Sequence, residues 1–143
     1  LGYVDQEMSQ LPMRSTPDEI VGAFRVGDAR ARALLAAAGL ALEKQRRPIA
    51  ELSQGQRARL GLLALRLGEP NFYLMDEPTN HMDIAGRETL EEEILAQEAT
   101  AILVSHDRRL VRGIGTRYLL IEGKRLSEVD DPEGVFEAMR SGE

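Results

Sequence analysis

Two short apolar runs, Phe72-Tyr73-Leu74-Met75 and Thr100-Ala101-Ile102-Leu103-Val104, stop abruptly at polar residues, and a helix-forming stretch from about Ile84 to Gln97 separates them. Runs of this length without polar alternation predict strands buried on both faces. Strand, helix, strand in that order predicts a parallel sheet carrying helices. A third run, Tyr118-Leu119-Leu120-Ile121, predicts another strand. Glu122-Gly123-Lys124 turns it into Arg125 to Val129, and Pro132 to Arg140 reads as a last helix. A short helix from about Arg108 to Arg112 lies between the second and third runs.

The first third is helical and carries no obvious chemistry. Leu1 to Val4 reads as the end of a strand, and residues 7 to 15 as a loop. Thr16-Pro17-Asp18-Glu19 opens a helix: Thr16 can cap, Pro17 suits the first position, and Glu19 completes a capping box. A second helix runs from about Asp28 to Ala38 and ends at Gly39, a left-handed cap. Leu40 to Ala50 connects, with Pro48 interrupting it. Ser53 then caps a helix to about Leu67, on which Leu60, Leu63, Ala64 and Leu67 make one apolar stripe, with Gly68 and Pro70 closing it.

Composition narrows the function classes. The net charge of −6 argues against wholesale non-specific nucleic-acid binding. With no cysteine there are no disulfides or thiolate metal sites, and two histidines, His81 and His106, are too few for a histidine-rich metal centre. No apolar run approaches the roughly 20 residues of a membrane span. Leu1-Gly2-Tyr3-Val4-Asp5-Gln6 has no basic stretch of the kind that opens a signal peptide. The expected location is the cytoplasm. A first residue other than methionine, in what reads as the end of a strand, suggests that an upstream segment has been removed.

Four places carry candidate chemistry. Leu74-Met75-Asp76-Glu77-Pro78 delivers two adjacent carboxylates at the C-terminal end of a strand, where open parallel sheets bind ligands. One acid can hold Mg²⁺ and the next can orient or deprotonate a water; the plainer alternative is a solvated pair that caps the next turn. Leu52-Ser53-Gln54-Gly55-Gln56 opens a helix, where unpaired N–H groups and the helix dipole favour an anion; an ordinary N-cap explains the same residues. His106, just beyond the second strand, can reach a terminal phosphate or an attacking water, or can be a simple loop histidine. Asp107 beside it suits the cap of the next helix. In Thr79-Asn80-His81-Met82-Asp83, Asn80 and Asp83 suit a tight turn and a helix cap, with no required function.

Order and spacing together say more than each part. Ser53-Gln54-Gly55-Gln56, Asp76-Glu77-Pro78-Thr79-Asn80-His81-Met82-Asp83 and Ser105-His106-Asp107-Arg108 resemble, in series, the signature, Walker B, D-loop and switch-histidine motifs of ATP-binding-cassette ATPases. Asn80-His81 in the D-loop and Ser105-His106-Asp107-Arg108 are similar to the ABC-F type, soluble proteins with two cassettes on one chain; transporter cassettes more often carry Ser-Ala-Leu-Asp. Gln54 stands where glycine is more usual.

The resemblance implies an α/β fold: a partial P-loop NTPase (RecA-like) parallel sheet with an inserted helical subdomain. Residues 1–11 would be the Q-loop region, 12–50 the helical subdomain, and 51–143 the signature helix and C-terminal part of the ATPase core. The implied cofactors are ATP and Mg²⁺. Asp76 and Gln6 would contact the metal, and Glu77, His106 and Gln6 would serve catalysis. Ser53, Gly55 and Gln56 would act on nucleotide held by the opposite cassette, and Asp83 would join the two sites. The implied partners are a second cassette and, as with several ABC-F proteins, the ribosome or RNA, in translation or antibiotic resistance. A transporter nucleotide-binding subunit and a non-enzymatic half-cassette are the alternative functions. No Gly-x-x-x-x-Gly-Lys-Ser/Thr occurs; neither Lys44 nor Lys124 has that frame. These residues alone are therefore expected to be inactive. In the family the P-loop strand lies between the histidine strand and the Tyr118–Ile121 strand. Its absence predicts either an unpaired edge or a collapse in which residues 118 to 121 pair with residues 100 to 105.

Overall fold

A computed structural model describes residues 1–96 and 98–141. In chain order the elements are β1 (Gly2–Asp5), α1 (Pro17–Gly22), α2 (Asp28–Ala37), α3 (Leu42–Gln45), α4 (Gln54–Gly68), β2 (Phe72–Asp76), α5 (Ile84–Ala96), β3 (Thr100–Val104), α6 (Arg108–Ile114), β4 (Tyr118–Glu122), β5 (Arg125–Val129) and α7 (Glu133–Ser141). Gln97, the expected end of the helix after the paired acids, lies outside the described residues. The chain forms two compact units, Leu1–Ser105 and His106–Glu143.

In the first unit β1, β2 and β3 form a parallel sheet in that order, as strand–helix–strand alternation predicts. The register is simple: Val4, Met75 and Leu103 lie in one row, and Asp5, Asp76 and Val104 in another. Side chains alternate across a sheet. Gly2, Val4, Tyr73 and Met75 share the buried face, with Leu103 packed against the core. On the opposite face Tyr3, Ile102 and Val104 are exposed, the last two by about half, while Phe72 and Leu74 are half-buried. The expectation of strands buried on both faces is thus corrected: among the described residues of the first unit, only one face is covered. Length and composition mark a strand, but burial depends on what lies over it, and nothing in the first unit covers the second face.

Helix α4 is the hub of this unit, in contact with β1, α1, α2 and α5. The expected single stripe is also too narrow. Ala58, Leu60, Gly61, Leu62, Leu63 and Leu65 are all buried, whereas Ala64 and Leu67 are only half-buried. An element packed from several sides buries more than one face, so periodicity understates its apolar surface. Its end also differs from expectation: Gly68 stays helical and Glu69, at φ 43°, takes the left-handed cap before Pro70.

The helical segment between the loop and α4 follows its local signals. Thr16 and Glu19 form the expected capping box. Gly39, at φ 83°, is the left-handed residue after α2. The presumed connection from Leu40 to Ala50 contains α3 and a 3₁₀ turn, Ile49–Glu51. Buried Gln45 fixes this stretch by donating through Nε2 to Leu40 O at 2.9 Å and Arg32 O at 3.2 Å, a tertiary anchor with no short-range signature.

In the second unit β4 pairs antiparallel with β5, and Arg117 donates to Glu128 through two of its three guanidinium nitrogens, Nε at 2.8 Å and Nη2 at 3.0 Å. Glu133 joins α6 to α7, lying 2.6 Å from Arg108 Nε and 2.9 Å from Arg112 Nη1. Leu110 is the one fully buried side chain among this unit's described residues. Of the two expected outcomes, the collapse does not occur: β4 belongs to its own two-stranded sheet, and among the described residues β3 pairs with β2 alone, which leaves its other edge without a strand partner.

Candidate functional site

The three parallel strands bring their carboxyl ends to one edge. Asp76, exposed, ends β2 with Asp5 and Val104 as register neighbours. Glu77 leaves the strand at φ 47°, in the left-handed region, and its N–H donates to Val104 O at 2.8 Å. A residue with a β-carbon pays for that conformation, and such residues cluster at functional sites. The kink directs the chain from β2 into the turn that follows. Pro78, Thr79 and Met82 are buried beneath this turn, and Asn80 N–H donates to Glu77 O at 3.4 Å.

Gln6 follows β1 at the same edge. Its Oε1 accepts a hydrogen bond from Asn80 Nδ2 at 2.7 Å, across 74 positions of sequence. Asp5, beside it, is committed elsewhere: Oδ1 accepts the N–H groups of Ser9 at 2.9 Å and Glu7 at 3.1 Å, and the Ser9 hydroxyl donates to Oδ2. Burial pushes the Asp5 carboxyl up, but these bonds, chiefly from Ser9, outweigh it and hold the pKa below the usual carboxylate value. The loop beyond is pinned by Met8, which is buried against Gly61 of α4; a β-carbon at Gly61 would stand 2.6 Å from Met8 Sδ.

Ser53 caps α4 as expected. Its hydroxyl accepts from Gln56 N at 3.2 Å, and Gln56 Oε1 accepts from Ser53 N at 3.0 Å. Both side chains therefore serve the helix end. Gly55, in the first turn, lies beside the turn after β2: a β-carbon there would be 3.9 Å from His81 O. Asp83 precedes α5 and accepts Gly86 N–H at 2.8 Å, the expected cap, while its other oxygen lies 3.6 Å from Arg59 Nη1 of α4. A cleft of about 120 Å³ separates these parts, lined by Gly55, Arg59, His81, Met82 and Asp83 among others.

His106 belongs to the second unit and is exposed. It follows β3, whose last residue lies opposite Asp76. Asp107 caps α6, accepting Leu110 N–H at 3.1 Å. The first unit thus gathers Asp76, Glu77 and Gln6 at the sheet's carboxyl edge, with Ser53, Gly55 and Gln56 at the start of α4 near His81 and Asp83. Sequence reasoning missed Arg59 and the tie from Asn80 to Gln6. Arg59 is one turn beyond the capping box on a helix read only for its apolar stripe, and Asn80 looked like an ordinary turn residue.

The implied magnesium fits the donors present. Mg²⁺ takes one or two protein carboxylates and leaves its other positions to phosphate and water. Asp76 is exposed at the strand end for such a role, whereas Asp5 is consumed by its own loop. Among the described residues no cluster of three or more His, Asp or Glu side chains could cage a metal unaided. No described helix is long and apolar enough to cross a membrane.

A family profile described as "ABC transporter" matches residues 1–80. The chain is 32% identical to "Ribosome protection protein VmlR" of Bacillus subtilis strain 168, over 98% of this chain and 26% of that protein. It is 33% identical to human "ATP-binding cassette sub-family F member 3", over 99% of this chain and 20% of that protein. The chain thus spans about a quarter or less of the length of these relatives. Among solved structures, "Structure of ATP binding subunit of ABC transporter" superposes with a TM-score of 0.69 at 18% identity, covering 95% of this chain and 62% of the other; at that identity the likeness is one of fold.

Proposed function

The chain belongs to the ABC transporter family, and from that premise we propose that it forms part of a cassette that binds and hydrolyses ATP with Mg²⁺ in a cytoplasmic ABC-F protein. The observation that carries this reading is the shared carboxyl edge: Asp76 ends β2 and Glu77 follows it, while Gln6 follows the neighbouring β1 and is tied to the loop after Glu77. Residues 1–11 serve as the Q-loop region, 12–50 as the helical subdomain, and 51–143 as the signature helix and C-terminal core.

Each residue has a role in this reading. Asp76 and Gln6 hold the magnesium ion, which neutralises charge on the phosphates. Glu77 orients or deprotonates the attacking water. Its left-handed backbone, directly after the last residue of β2, supports this role. His106 contacts the terminal phosphate. Ser53, Gly55 and Gln56 face the nucleotide of a second cassette, whose phosphate the N-terminus of α4 favours, and Asp83 links the two sites. The phosphate loop that grips the nucleotide in cis comes from elsewhere in the protein, so these residues alone bind ATP very weakly. The relative named as a ribosome protection protein supports a ribosomal target, in translation or antibiotic resistance.

The test is equilibrium binding of ATP to the full-length protein with and without Mg²⁺, for the wild type and Asp76→Asn. Mg²⁺ is expected to tighten binding to the wild type and to lose most of that effect in Asp76→Asn. Wild-type binding that ignores Mg²⁺ ends the proposal.

A further inference from the structure

Gln6 and Asn80 are both exposed, and neither belongs to a regular element. Exposed amides at loop tips ordinarily bond to water. Here Asn80 Nδ2 donates to Gln6 Oε1 at 2.7 Å, and the surroundings hold both ends in place. On one side, Asp5 organises the loop that carries Gln6, and buried Met8 fastens it to α4. On the other, Thr79 and Met82 bury the turn on either side of Asn80, and Met82 N–H closes onto Thr79 O at 3.1 Å. Asp83 fixes the turn's far end through Gly86 N–H and Arg59. The two amides therefore meet on anchored backbone, so forming the bond does not require ordering either loop.

We infer that Asn80 is a positioning residue for Gln6: it holds the Gln6 carboxamide with Oε1 turned toward the loop after Glu77. This rests on the proposed function, in which Gln6 is a magnesium contact. A carboxamide has one oxygen and one nitrogen end, and only the oxygen can ligate a cation. Donation from Asn80 selects the orientation that presents the oxygen, and Oε1 keeps a second lone pair for the metal or its water. Without Asn80 the Gln6 amide turns freely, and the wrong end faces the metal for part of the time. A ligand held in a fraction of its orientations binds with correspondingly lower apparent affinity.

The experiment is a Mg²⁺ titration of the full-length protein, read both by equilibrium ATP binding and by steady-state ATPase activity, for the wild type, Asn80→Ala, Gln6→Ala and the double variant. A hydrogen bond of ordinary net strength predicts that Asn80→Ala raises the half-saturating Mg²⁺ concentration about two- to ten-fold. The rate at saturating Mg²⁺ should change much less. In the Gln6→Ala background the same substitution should add nothing, because the group it positions is gone. A structural role for Asn80 alone would lower the rate at every Mg²⁺ concentration and persist without Gln6. Unchanged half-saturation in Asn80→Ala, or additive effects of the two substitutions, overturns the inference. A wild-type protein with no ATPase activity overturns the functional reading itself.

Discussion

The two faces of the three-stranded sheet are built from the same strands and meet different fates. Tyr73 and Met75 of β2 point into a closed aliphatic core and have no exposed surface. Leu74, between them, is half-buried, and its register partners Tyr3 and Ile102 are exposed by 38% and 51%. The covered face holds the strands in place, while their ends carry the acids. The open face contributes little to the stability of this unit, although its residues are as apolar. What distinguishes the two is the presence of α4 on one side, not the chemistry of the strands.

Substitutions on the two faces sharpen this contrast. Met75→Ala should destabilise the chain by about 2–5 kcal/mol, since it removes a fully buried side chain and leaves a cavity. Denaturant unfolding with an unchanged slope would check it, and a loss below about 1 kcal/mol would mean that the core repacks freely. Tyr73→Phe should have the opposite sign. The Tyr73 hydroxyl is buried with no hydrogen-bond partner among the described residues, and burial, with Glu93 adding to it, pushes its pKa up. Removing an unsatisfied buried group should raise stability by about 1 kcal/mol; a destabilised variant would reveal a hidden partner. The smallest effect belongs to the open face, where Ile102→Thr should shift stability by about 0.5 kcal/mol or less. A large loss there would show that the face is covered in solution.

The same contrast explains how far the sequence could be read. Local signals transferred well: Thr16 and Ser53 cap their helices, Gly39 and Asp107 take their expected positions, and β2 and β3 pair in parallel. These depend on a few neighbouring residues. Burial depends on the whole fold, so the apolar run at β3 gave no warning of its exposure, and the stripe on α4 understated a helix packed from several sides. The candidate site divided in the same way. The place of Asp76 and Glu77 at a strand end was legible, because the apolar run before them marks the strand. The bond from Asn80 to Gln6 was not, because it spans 74 positions and joins two residues that are each ordinary in their own loops.

The role of Glu77 is the centre of the account, and single-turnover hydrolysis by full-length protein loaded with ATP and Mg²⁺ tests it most directly. Glu77→Gln keeps the shape of the side chain and removes the carboxylate that orients or deprotonates water. The predicted result is retained ATP binding with hydrolysis slowed by about 10²–10⁴-fold. Hydrolysis by Glu77→Gln at the wild-type rate would contradict it.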